Sequence, residues 1–183
     1  MTQLIALVAL VLAAQAESRT VLGSSEAQAC FELAETDMDG RASSVRTCRE
    51  ALSGGGLSMR DRAATQVNLG ILLRRAGRLD AALAAHDRAA ELAPDLAEVY
   101  ANRGVVHLAA RRPHAAVADF NRALALEPAE PHLVRYNRAR AHEWLEDYPA
   151  AYADYRRAAA LAPDWDLPRI ALERFEVSRE PEG

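Results

Sequence analysis

The chain contains no lysine. All 22 of its basic residues are arginine, a bias that fits a GC-rich genome better than a physical demand. They stand against 26 acidic residues for a net charge of −4, and no basic stripe gathers along the chain. That balance excludes nucleic acid as the expected partner. Aromatic residues make up 5 %, too few for a platform on which single strands could stack. Cysteine occurs twice, without a Cys-x-x-Cys pair, which argues against a redox-active dithiol. The apolar run Leu4–Ala14 is too short to span a bilayer comfortably. The chain also lacks His-Glu-x-x-His, a glycine-rich phosphate loop and Gly-x-Ser-x-Gly. No catalytic residue, cofactor or metal site is therefore expected, and the chain does not read as an enzyme. The turn Asp37-Met38-Asp39-Gly40 has the look of a calcium loop but lacks the downstream Glu.

What the chain does have is a period. Pro94, Pro128 and Pro163 close the phrases HDRAAELAP, FNRALALEP and YRRAAALAP. Such spacing marks a stacked repeat array. The units run 63–96, 97–130 and 132–165, with Pro131 as an inserted residue. Each first helix carries an Asn-centred phrase: Asn68-Leu69-Gly70, Asn102-Arg103-Gly104, Asn137-Arg138-Ala139. Each second helix carries small residues where paired helices approach: Ala82 and Ala89, Ala116 and Ala123, Ala151 and Ala158. The chain turns at Gly77, Arg112-Pro113 and Tyr148-Pro149, and proline suits the first turn of a helix. Composition alone would also allow a plain Ala- and Leu-rich bundle; the phased Asn, Gly and Pro argue against it.

The ends differ from the repeats. Residues 1–16 read as an export signal, with Ala14-Gln15-Ala16 as the cleavage site and Glu17 as the mature start. No basic residue precedes the apolar run, which leaves an uncleaved inner-membrane anchor as the alternative. Residues 17–56 form a degenerate helical pair, helices 25–35 and 41–52, closed by Gly54-Gly55-Gly56. Ser58 is the expected N-cap of the next helix. Cys30 and Cys48 lie equidistant from the turn at residue 39. In an antiparallel pair such residues face each other, so a Cys30–Cys48 disulfide is expected, with two buried thiols as the alternative. Residues 166–179 form a closing helix, with Leu167, Ile170, Ala171, Arg174 and Phe175 on one stripe. Glu173, Glu176 and Arg179 are expected to point outward.

The repeat phrases resemble the tetratricopeptide repeat (TPR) family, in particular small exported bacterial members. Gly70, Gly104 and Ala139 supply its small residue in the first helix. Phe120 and Tyr155 supply its aromatic in the second, and His86 departs from it. The helix-ending prolines also match. The resemblance implies an all-α fold: a right-handed superhelical stack of antiparallel helix pairs, with a C-terminal capping helix. It implies a concave groove that binds a peptide segment of another protein. Candidate groove residues are Asn68, Asn102, Asn137, Arg74, Tyr136, Arg140 and Trp144, beside Val67, Ile71, Glu98, Ala101 and Val105. An Asn amide offers both donor and acceptor to a peptide backbone, or it braces neighbouring helices. Some members clamp a C-terminal carboxylate with Lys, Asn and Arg. Asn102 fits one such position, but Val67, Leu133 and Asn137 stand where the basic ones belong. His107 and His142 fall where the family often has Tyr and read as packing residues. The expectation is a non-catalytic interaction module, periplasmic or secreted, with no membrane span after cleavage and with a monomer favoured over an oligomer. The alternative is an assembly component of an envelope complex that uses its convex face or its ends.

Overall fold

The computed structural model describes residues 24–175. The expected signal at 1–16, the start at Glu17, and residues 176–179 of the closing helix lie outside them. The described residues form nine helices and no strand. In order these are α1 (Ser25–Thr36), α2 (Ala42–Ser53), α3 (Met59–Arg75), α4 (Leu79–Leu92), α5 (Ala97–Ala109), α6 (Pro113–Ala125), α7 (Pro131–Trp144), α8 (Tyr148–Leu161) and α9 (Asp166–Glu173). The described residues divide into two compact units, unit 1 up to Pro94 and unit 2 from Asp95.

In unit 1, α3 packs against α1, α2 and α4. It is buried nearly all round, with Ala63, Leu69, Leu72 and Leu73 joined by the polar Thr65, Gln66 and Asn68. A helix enclosed on every side is the centre of its core. Ser58 caps it by accepting from Asp61 N at 3.1 Å. The Cys30–Cys48 disulfide joins α1 to α2 in the core, and neither sulfur-bearing residue is exposed. Such a bond stabilises chiefly by restricting the unfolded chain, by about 3 kcal/mol for a loop of this size. Two arginines of α3 then satisfy the carbonyl ends of its neighbours. Arg62 Nη1 donates to Leu52 O at 2.6 Å, and Arg75 Nη1 donates to Ala34 O and to Asp37 O.

The α1–α2 turn is built by Asp37. Its carboxylate accepts from Asp39 N at 3.2 Å and Arg41 N at 2.8 Å. The Ser44 hydroxyl, with those backbone donors and Arg41, holds its pKa down at about 2. The loop is therefore a helical turn organised by one aspartate. Gly40 closes it at φ 65°, where a Cβ would lie 2.1 Å from Leu72 O. Only glycine fits there.

In unit 2, α5 pairs with α6, α6 packs on α7, α7 pairs with α8, and α9 packs on α8. Pro113 and Pro131 stand at the first turns of α6 and α7, and Asp147 caps α8 by accepting from Ala150 N at 3.2 Å. One core cluster gathers Leu108, Ala116, Phe120, Ala123, Val134 and Ala141. A second gathers Ala139, Ala151, Tyr155 and Ala171, with Tyr136, Leu172 and Phe175 against it. The six alanines expected at helix crossings are all fully buried.

The closing helix differs from its expected stripe. Pro168 and Ala171 are buried, whereas Leu167 and Ile170 are 47 % and 51 % exposed. The reason is the anchor. Phe175 packs on Tyr148, Tyr152 and Tyr155, and together with Leu172 it turns the Pro168–Ala171 side inward. Arg174, expected on the apolar stripe, is exposed and meets Glu143 at 3.1 Å.

Candidate functional site

In unit 2, the first helices α5 and α7 line a cleft of about 220 Å³. Its apolar part comes from Ala101, Val105, Phe120, Leu133 and Val134. Pro128, Ala129 and Glu130 of the α6–α7 connection close one side. Phe120 reaches the cleft because Gly104 on α5 leaves room for its ring. A Cβ on Gly104 would sit 2.6 Å from Phe120 Cε1.

Asn102 and Asn137 both line this cleft. Each sits on its helix in the same way. Asn102 Nδ2 donates to Glu98 O at 2.9 Å, and Asn137 Nδ2 donates to Leu133 O at 3.0 Å. Bonding back to the preceding turn fixes the amide's orientation. It leaves acceptor capacity on Oδ1 and a second N–H for a ligand. Asn137 Oδ1 also meets Arg140 Nη1 at 3.4 Å. The carboxylates in the lining are Glu98 and Glu130, both exposed, and no arginine lines the cleft.

The other sequence candidates fall elsewhere. Asn68 and Arg74 belong to unit 1. Asn68 is buried, at 8 % exposure. Arg74 is half-buried, and burial, then the neighbouring Arg75, pulls its pKa down. Tyr136 packs on Tyr155 and Trp165 at ring separations of 5.4 and 4.9 Å. Arg140 and Trp144 are exposed outside the cleft. Thus Asn102 and Asn137 come together with Glu98, Ala101 and Val105; Arg140 touches this group through Asn137 Oδ1 alone, and Tyr136 and Trp144 are not in the lining. Leu133 stands in the cleft as an apolar residue.

Behind the cleft lies a brace that the sequence reading missed. Arg103 Nε and Nη2 donate to Asp119 Oδ2 and Oδ1 at 2.9 and 2.7 Å. One repeat later, Arg138 Nε and Nη2 donate to Asp154 Oδ2 and Oδ1 at 2.6 and 2.7 Å. Both aspartates are buried. Bidentate pairing of this kind fixes geometry as well as charge. Arg138 Nη1 also reaches Asn121 Oδ1 at 2.6 Å, which ties α7 to α6. His107 Nε2 lies 3.6 Å from Asp119 Oδ2, and His142 Nδ1 lies 3.4 Å from Asp147 Oδ2. The signal was present in the sequence: Arg and Asp each recur at the repeat period.

Beyond the brace, the buried Tyr155 hydroxyl donates to Glu143 Oε2. Burial, then that carboxylate, pushes the phenol's pKa well above its usual value. Among the described residues, no group of three or more His, Cys, Asp and Glu side chains could hold a metal ion. No helix among them is long and apolar enough to cross a membrane.

These features agree with the comparisons. Residues 61–128 match the model of the tetratricopeptide repeat, and this part of the chain belongs to that family. Human sperm-associated antigen 1 is 39 % identical over 102 residues, 55 % of this chain. The match spans only 11 % of that protein's length. Among solved structures, the Arabidopsis OM64 TPR domain superposes with a TM-score of 0.61 at 22 % identity, covering 64 % of this chain and 96 % of that one. The first TPR of Spaghetti (RPAP3), bound to the HSP90 peptide SRMEEVD, gives 0.60 at 21 %, covering 63 % and 90 %. MamA gives 0.61 at 17 %, covering 70 % and 72 %. At such identities the structures establish the fold, an all-α stack of helical repeats. TPR domains mediate protein–protein interaction and are typically non-catalytic.

Proposed function

We propose that the chain is a non-catalytic adaptor that binds a short segment of another protein in the α5–α7 cleft. The observation that carries this reading is the matched pair Asn102 and Asn137. Both amides are locked onto their own helices beside an apolar floor. Two fixed amides can bind an extended backbone without demanding a particular side chain, while the floor takes one apolar residue. The peptide bound by the Spaghetti (RPAP3) neighbour supports a groove mode in general. The chemistry of this cleft favours a different sequence. Glu98 and Glu130 with no arginine in the lining repel an acidic tail and attract Lys or Arg beside the apolar residue.

The proposal includes location. The Cys30–Cys48 disulfide supports an oxidising compartment, the periplasm or the exterior, as does the apolar run before Ala14-Gln15-Ala16. Mass spectrometry of the mature N-terminus tests it, and a start near Glu17 is expected.

The groove is tested with a short labelled peptide alternating leucine and lysine. Asn102→Ala with Asn137→Ala should weaken it about tenfold, the loss of two backbone bonds. Unchanged affinity would overturn the assignment. A second reading, an envelope assembly component, draws support from exposed Leu167 and Ile170 on α9. Light scattering on the purified chain separates the two: a stable oligomer favours assembly, and a monomer favours the adaptor.

A further inference from the structure

Unit 1 has a cleft of its own, of about 390 Å³, between α2, α3 and α4. It is lined by Arg49 and Leu52 of α2, Gln66, Leu69 and Leu73 of α3, and Ala84 and Arg88 of α4, among others. Its volume falls in the range of ligand sites. Three observations meet there. Gln66 is 8 % exposed, and its Oε1 is buried without a hydrogen-bond partner among the described residues. A buried acceptor in that state has lost water and gained nothing, so it gains from any donor brought into the cleft. Arg49 and Arg88 come from separate helices to the same cleft, both exposed, and no carboxylate is in the lining. The α4 wall is alanine at Ala81, Ala84 and Ala85, which lets a backbone approach closely.

We propose that this cleft is a second docking site, for an acidic peptide segment of a partner protein. A backbone N–H of the segment donates to Gln66 Oε1. An apolar side chain lies over Leu52, Leu69 and Leu73. A flanking Asp or Glu meets the guanidinium groups of Arg49 and Arg88. Charge complementarity selects the occupant: two arginines and no carboxylate favour an acidic segment, the reverse of the α5–α7 cleft. The inference does not depend on that other cleft, because no residue is shared between them.

The test is fluorescence anisotropy on the full, disulfide-intact chain with a short labelled peptide alternating leucine and glutamate. Saturable binding is expected, weakening as salt rises. Arg49→Glu with Arg88→Glu should weaken it about tenfold or more. Gln66→Leu keeps the volume and removes the acceptor, and should weaken it about threefold. Binding of the leucine–lysine peptide should be unchanged in all of these. Thermal melts by circular dichroism check that each variant folds, and Arg88→Gln alone serves if the double reversal does not. Absence of saturable binding to the wild-type chain would overturn the proposal, as would equal affinity in folded variants. Octanoate binding with the same variant sensitivity, without peptide binding, would mark a small-carboxylate site and overturn the peptide assignment.

Discussion

Where α5 carries Arg103 and α6 carries Asp119, the corresponding positions of α3 and α4 hold Leu69 and Ala85. Unit 2 fills that crossing with a bidentate ion pair, and unit 1 fills it with apolar side chains. The contrast repeats elsewhere. The ring over the small residue of the first helix is Phe120 on Gly104 in unit 2, and His86 on Gly70 in unit 1. The left-handed turn residue is Gly77 in unit 1, but Arg111 and Glu146 in unit 2, at φ 58° and 59°. Unit 1 also has its disulfide; unit 2 instead closes on α9 and Phe175. One repeat pattern thus fixes where helices cross, and it leaves open which chemistry fills each crossing. A buried ion pair is not inherently better than an apolar pair of suitable shape, which is why both survive in one chain.

That comparison can be broken experimentally, beginning with the ion pairs. Asp154→Ala strands Arg138 and Arg135 and should cost about 3 kcal/mol in denaturant melts. The double change Arg103→Leu with Asp119→Ala copies unit 1, and should cost far less than Asp119→Ala alone. Removing the disulfide by Cys30→Ala with Cys48→Ala should cost about 3 kcal/mol. Hydrogen exchange should place that loss in unit 1, with unit 2 amides unchanged. Gly104→Ala forces a methyl into the Phe120 ring and should cost about 2 kcal/mol. The smallest effects run the other way. Arg111→Gly and Glu146→Gly relieve left-handed backbone and should each stabilise by up to about 1 kcal/mol, whereas Gly77→Ala should cost a similar amount.

Much of this was legible in the sequence because it rests on periodicity. The phased prolines, alanines and glycines located α3 to α8, and the midpoint at residue 39 paired Cys30 with Cys48. The facing of α9 was not legible, since Leu167 and Ile170 fit a helical stripe as well as Pro168 and Ala171 do. Only the position of Phe175 on Tyr148, Tyr152 and Tyr155 decides between them. The recurrence of Asn was readable, but its burial was not: Asn68 lies inside unit 1, while Asn102 and Asn137 line a cleft. Glu130 of that cleft ends its repeat unit at a position that holds Leu96 and Trp165 in the other two, so periodicity does not announce a carboxylate there. Gln66 has no amide counterpart one repeat on, where Tyr100 stands, and periodicity is silent about such a residue.

The most direct test of the account is an amide chemical-shift titration of the full chain with both peptides in turn. The leucine–lysine peptide should shift Glu98, Asn102, Leu133 and Asn137, and the leucine–glutamate peptide should shift Arg49, Gln66 and Arg88. Shifts from both peptides at the same residues, or from neither, would contradict two clefts of opposite preference.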